Sequence, residues 1–170
     1  MSGFGFAESA STGNLGTRNP LLSSSGTQVP LSAPGTFYTY TLPASSVQTD
    51  GDFFHIEAGF VITGDPRNIT ISLNFDAGSI TRSYTIGGFG DDYVTFTAEV
   101  ARKSATTAQL SGALYENTAS TLYAGQVLMS SANVAATFSG AIVVSLTATT
   151  LTSGTATGQY FYIASYFATG

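Results

Sequence analysis

Asn68-Ile69-Thr70-Ile71-Ser72-Leu73-Asn74-Phe75 decides the fold class. Four apolar side chains alternate strictly with four polar ones, the period of a β-strand with one face in a core and one in water. Sliding the strand by one residue would put all four apolar side chains in water, so its register is firmly specified. Asp76-Ala77-Gly78 reads as a turn, and Ile80 to Ile86 as the returning strand. The same alternation lies upstream in Tyr38, Tyr40 and Leu42, and again in Phe54, Ile56, Ala58, Phe60 and Ile62. Gly64-Asp65-Pro66 is a turn between the second of these and the deciding stretch. Downstream, beyond Gly87-Gly88-Phe89-Gly90, Val94, Phe96, Ala98 and Val100 alternate with Tyr93, Thr95, Thr97 and Glu99. Further strands are expected near Ala108–Tyr115, Thr121–Met129, Ala141–Thr149 and Gln159–Phe167. Eight or nine strands without a helical pattern or fixed-period repeat predict an all-β, antiparallel β-sandwich, jelly-roll-like.

Composition agrees. Of 170 residues, 46 are Ser or Thr, and charged residues make up only 9%, where a soluble domain has about 25%. Threonine suits a pleated, half-buried surface, and both residue types are mediocre helix formers. The net charge is −5 with five scattered basic residues, so no basic patch is offered to nucleic acid. There is no cysteine, hence no disulfide framework or thiolate metal site. The first residues lack the basic and apolar regions of a secretory signal.

Two regions depart from the pattern. Residues 1–35 hold three of the five prolines and many Gly, Ser and Thr, a composition that cannot bury enough surface to fold alone. They read as an extended N-terminal arm in front of a sandwich domain over residues 36–170. Phe4, Phe6, Leu21, Leu22, Val29 and Leu31 are its apolar anchors, expected to bind a partner and to let the arm attach while the sandwich folds without it. The second region is Asn117 to Gly170, which has no charged residue. Its Thr, Ser and Ala content and alternating apolar positions fit strands buried in a sandwich or between subunits, not a membrane helix. In the last strand Tyr160, Tyr162 and Tyr166 oppose Phe161, Ile163 and Phe167. Aromatic residues on both faces imply that both are covered, which marks Tyr160, Tyr162, Tyr166 and Phe167 as an oligomer interface.

No residue set assembles into a catalytic site in the sequence. His55, the single histidine, needs a nucleophile or carboxylate in fixed geometry, and no Gly-x-Ser-x-Gly elbow occurs. It reads as a packed or interface histidine. Asp50-Gly51-Asp52 and Asp91-Asp92 lack the spaced oxygen ligands of a calcium loop and read as solvated turns. The glycine runs at 3–6 and 87–90 precede no helix, as a phosphate loop requires. Asn68-Ile69-Thr70 matches the glycosylation sequon but lies inside the clearest strand. No catalytic, cofactor-binding or metal-binding residues, and no cofactor, are therefore expected. Tyrosines with Asn and Thr suit sugar stacking or a protein interface; permanent assembly also accounts for the charge-free last third.

The order of Gly51-Asp52-Phe53-Phe54-His55-Ile56-Glu57-Ala58-Gly59-Phe60, Asn68 to Phe75, Val94 to Arg102, Ala105-Thr106-Thr107-Ala108-Gln109 and the aromatic strand Gln159 to Phe167 resembles β-sandwich proteins of tailed-bacteriophage virions, of the head-decoration (cement) and tail-fibre-head types. Trimeric sandwiches of the tumour-necrosis-factor type, as on spore surfaces, are also similar. The resemblance covers about Phe37 to Phe167, leaves out the arm and transfers no functional residue. It implies a homotrimeric, non-enzymatic part of a virion, on the outer surface of capsid or tail, with the major capsid protein or another virion protein as partner. A capsid decoration protein that stabilises the head shell is the first expectation. A tail-fibre or receptor-binding head that recognises host surface glycans is the second.

Overall fold

The computed structural model describes residues 17–25, 30–31, 34–63, 67–86, 92–118, 126–151 and 154–167. These form β1 (Thr17–Ser25), β2 (Pro30–Leu31), β3 (Gly35–Leu42), β4 (Phe53–Thr63), β5 (Arg67–Phe75), β6 (Gly78–Ile86), β7 (Asp92–Ser104), β8 (Thr107–Thr118), β9 (Gln126–Ala135), β10 (Ile142–Leu151) and β11 (Thr155–Phe167). Every pairing is antiparallel. The larger sheet runs β1-β11-β4-β7-β8-β9, with β2 also on β11; the smaller runs β3-β10-β5-β6. Setting aside β2 and the β8–β9 hairpin leaves two four-stranded sheets, β1-β11-β4-β7 and β3-β10-β5-β6. First and last strands are neighbours, and successive strands alternate between layers except at the β5–β6 hairpin, which stays in the smaller sheet: the fold is a jelly-roll sandwich.

The alternating residues meet between the sheets. Ile69, Ile71, Leu73 and Phe75 of β5 face Phe54, Ile56, Ala58 and Phe60 of β4, with Val94, Phe96 and Val100 of β7 and Ile142, Val144 and Leu146 of β10; all are buried. Aromatic rings bridge the layers: Tyr38 lies parallel to Phe161 with centroids 4.9 Å apart, and Phe54 packs on Phe75 at 6.1 Å. The β5–β6 hairpin turns at Asp76, whose φ of 53° is tolerable for an aspartate. Its carboxylate accepts the Thr137 N–H at 2.7 Å and its own N–H donates to the Val143 carbonyl at 3.1 Å. This ties the small sheet's hairpin to the chain entering β10.

Two expectations change. The sequence reading leaves all of residues 1–35 outside the sheets. Instead β1 pairs along β11 from Thr17↔Phe167 to Ser25↔Tyr160, and β2 continues on the same edge at Leu31↔Ala156. This pairing runs through backbone groups and needs no side-chain alternation, so composition does not betray it. Pro20 fits because β1 ends the sheet and its register shifts between Pro20 and Leu22, the kind of place where a missing N–H is tolerated. Phe4, Phe6 and Val29 lie outside the described residues. The other change is β9, expected near Thr121–Met129 but observed at Gln126–Ala135. Its position is set by pairing with β8, from Thr107↔Ala135 to Tyr115↔Gln126. Ala132–Leu151, in the middle of the uncharged stretch, is thus the end of β9, a turn and β10. No helix among the described residues is long and apolar enough to cross a membrane.

Candidate assembly face

The two sheets differ in what they turn outward. The small sheet shows mainly hydroxyls and amides, with Val143 exposed at 51% among them; many are hydrogen-bonded to one another: Thr70 with Ser83 at 3.0 Å, Ser72 with Thr81 at 2.9 Å, and the Asn74 amide donating to Ser145 at 3.2 Å and Thr147 at 3.3 Å. Such a self-satisfied ladder is at ease in water.

The large sheet turns outward a different set. Register places Tyr160 beside Gly59, Tyr162 beside Glu57, Ala164 beside His55 and Tyr166 beside Phe53, while Phe161 and Ile163 point into the core. Tyr160, Tyr162 and Tyr166 therefore share the outer face. Across β7 and β8 this face continues with Thr95, Thr97 and Glu99, and with Ser111, Ala113 and Tyr115. Tyr93 is 55% exposed and Tyr115 38%. The Tyr166 ring stacks parallel on Phe53 at 4.6 Å. The side chain of Phe167 is outside the described residues, as are those of Leu21, Leu22 and Leu31. Backbone register alone sets Leu22 opposite Ile163 and Leu31 opposite Ala156, within the chain's own sheet.

Tyr160 shows how this face is built. Its ring covers Gly59 so closely that a Cβ there would clash with Tyr160 Cε1. The phenol donates to Glu57 Oε1 at 2.8 Å. Burial, then the bond to Glu57, raises its pKa above the ordinary tyrosine value. On the other side of the sheet Tyr38 donates to the Gly59 carbonyl at 3.0 Å and fills the space over Gly158. It sits where the β4–β11 register shifts between Gly158 and Tyr160. Burial pushes the Tyr38 phenol up to about 12, with the Gln159 and Tyr160 N–H groups opposing the shift.

His55, Glu99 and Ser111 stand in one row on β4, β7 and β8. The carboxylate occupies the middle place, so hydroxyl and imidazole are two strand spacings apart, about 10 Å. Direct proton transfer from Ser111 to His55 needs contact near 3 Å, which this order does not provide.

Asp50 and Asp52 have structural partners. The Asp52 carboxylate accepts the N–H groups of Gln48 and Thr49 at 3.3 and 2.9 Å. Asp50 accepts Arg102 Nε at 2.9 Å, and Arg102 also donates to the Val47 carbonyl at 3.0 Å and lies over the Phe138 ring. Together they fasten the β3–β4 connection to the end of β7. Among the described residues no three His, Cys, Asp or Glu side chains gather as a metal site. Asn68 pairs with Thr85 in β5–β6 by backbone register; Asp91 and the glycine runs at 3–6 and 87–90 lie outside the described residues.

Sequence reasoning singled out the tyrosines of β11 but not Phe53, Glu57, Tyr93 or Tyr115 as members of one surface. Alternation put Tyr93 and Glu99 on the polar side of β7, but pairing partners alone reveal which strands sit beside it. Comparison of the chain with known protein families, with curated proteins and with solved structures finds no match.

Proposed function

We propose that this chain is a structural subunit of a bacteriophage virion, a head decoration or cement protein that works as a homotrimer, without catalysis, bound to the capsid surface. The observation that carries the assembly part is the contrast between the outer faces: one sheet shows a hydroxyl ladder, the other a tract of tyrosine and phenylalanine with Glu57, His55 and Glu99 among them. Aromatic enrichment is the mark of a surface that another protein covers. Placement on a virion rests on the resemblance described above. Cementing needs no more chemistry than burial of surface that bridges neighbouring subunits, which stabilises the shell by mass action.

The experiment is binding of the purified protein to capsids lacking it, beside binding to host cell-wall sugars. Saturable binding to capsids with a raised temperature of shell disruption is the expected result. Binding to sugars and none to capsids would replace this reading by that of a glycan-recognising tail-fibre head.

A further inference from the structure

The large sheet's outer face holds an open depression of about 250 Å³ lined by His55, Thr97, Ala98, Glu99, Ser111, Gly112 and Ala113. Its lining has no tyrosine, phenylalanine or tryptophan, and the small side chains of β8 leave it low. Polar atoms surround it: the Glu99 carboxylate, the His55 ring and the hydroxyls of Thr97 and Ser111. An occupant that satisfies both features is flat and apolar, with an O–H donor at one end. The same face already contains such a match, the Tyr160 ring lying in the notch at Gly59 with its phenol on Glu57 at 2.8 Å.

We propose that Tyr93 of a second copy of this chain occupies the depression, its ring lying over Thr97 and Ala113 and its phenol donating to Glu99. Tyr93 is the most exposed large apolar side chain among the described residues, at 55%. It cannot serve its own chain's depression, since it precedes Thr97 by four residues on β7, about 14 Å along the strand. Projection and depression lie at different points of one face, so each can meet its complement on another copy, and the contact repeated head-to-tail closes as the ring that a trimer requires when the rotation permits. The inference rests on the trimer reading and deepens it by naming the contact.

The absence of cysteine makes a direct test available. Tyr93 pairs with Asn117, and Ser111 lies six residues from Asn117 on β8, about 20 Å away. A disulfide needs Cα atoms within about 7 Å, so a bond between these positions joins two chains. Chains carrying Tyr93→Cys are mixed with chains carrying Ser111→Cys and treated with a mild oxidant or a short thiol-to-thiol cross-linker. A covalent pair containing one of each is expected, above what either variant yields alone. In sedimentation, Tyr93→Ala and Ala113→Phe are each expected to raise the dissociation constant of the wild-type assembly at least tenfold, with unchanged circular dichroism. Ser111→Leu serves as a second way to fill the depression. A wild-type trimer indifferent to all three substitutions and giving no mixed cross-link overturns this contact and leaves the trimer standing. A wild-type chain that stays monomeric overturns the trimer itself. Protection of Ser111→Cys from a maleimide by soluble glycan or by capsid, with no self-assembly, assigns the depression to that partner and also overturns the proposal.

Discussion

Leu73 and Tyr38 illustrate the two ways single residues hold this sandwich. Leu73 is fully buried between the sheets. Leu73→Ala is expected to lose about 2–5 kcal/mol, from lost transfer energy plus the cavity left behind, read as a lower urea midpoint. Tyr38 adds a polar lock: its ring stacks on Phe161 and its phenol caps the Gly59 carbonyl. Tyr38→Phe removes that bond and is expected to cost about 0.5–1.5 kcal/mol at neutral pH. The variant also changes the response to alkali. An unfolded tyrosine ionises near 10, whereas burial pushes the folded Tyr38 up to about 12. The folded state therefore holds the proton more tightly, and the corresponding stability is complete below pH 10 and lost as pH rises from 10 to 12. Unfolding by urea across that range should decline more steeply for the wild type than for Tyr38→Phe. Part of the slope should persist in the variant, because the Tyr160 phenol is raised as well. An equal slope in both proteins would mean that folding does not raise the Tyr38 pKa.

Among the elements, β1 and β2 matter more than the composition of the N-terminal segment suggests. They cover the outer edge of β11, the strand at whose other edge lies β4. A long exposed edge with apolar neighbours invites pairing with other chains. Deleting residues 2–32 is therefore expected to give aggregation or a markedly lower melting temperature, not the soluble truncated sandwich that a detachable arm would leave. A capsid-binding loss on deleting residues 2–16 alone, with β1 and β2 kept, would place attachment in those residues. The β3–β4 connection offers a smaller test. Asp50 is exposed at 61%, so its ion pair with Arg102 is worth about 0–1 kcal/mol, and Asp50→Asn should change stability little. Arg102→Ala also uncovers Phe138 and frees the Val47 carbonyl, and is expected to cost about 1–3 kcal/mol. Equal effects of the two substitutions in thermal melts would show that the ion pair itself dominates.

For the whole molecule, one outer face carries linked hydroxyls and the other a tract of tyrosine and phenylalanine rings. If the large sheet is covered by further copies, stability is linked to assembly, and the melting temperature rises with protein concentration. An increase of several degrees between micromolar and hundred-micromolar protein is expected, together with a sedimenting mass of three times the 17.5 kDa chain. Tyr93→Ala should abolish the concentration dependence and leave the low-concentration melting temperature unchanged. A concentration-independent melt for the wild type would mean that the aromatic face stands in water.

The alternation of Asn68 to Phe75, repeated in β4 and β7, determined by itself the all-β class and which side chains of those strands enter the core, because a period of two fixes which side chains leave water. Ile71, Leu73, Phe96 and Ile142 are buried where that pattern puts them. Local pattern carries no information on which strands become neighbours. Only the tertiary structure decided that β11 lies between β1 and β4, that an irregular-looking N-terminal segment supplies a strand of the jelly roll, and that Phe53, Glu57, Tyr93 and the β11 tyrosines share one surface. Those relations arise from backbone pairing between residues as much as 150 positions apart, such as Thr17 and Phe167. Backbone groups are nearly the same for every residue type, so such pairing leaves little trace in the sequence on either side.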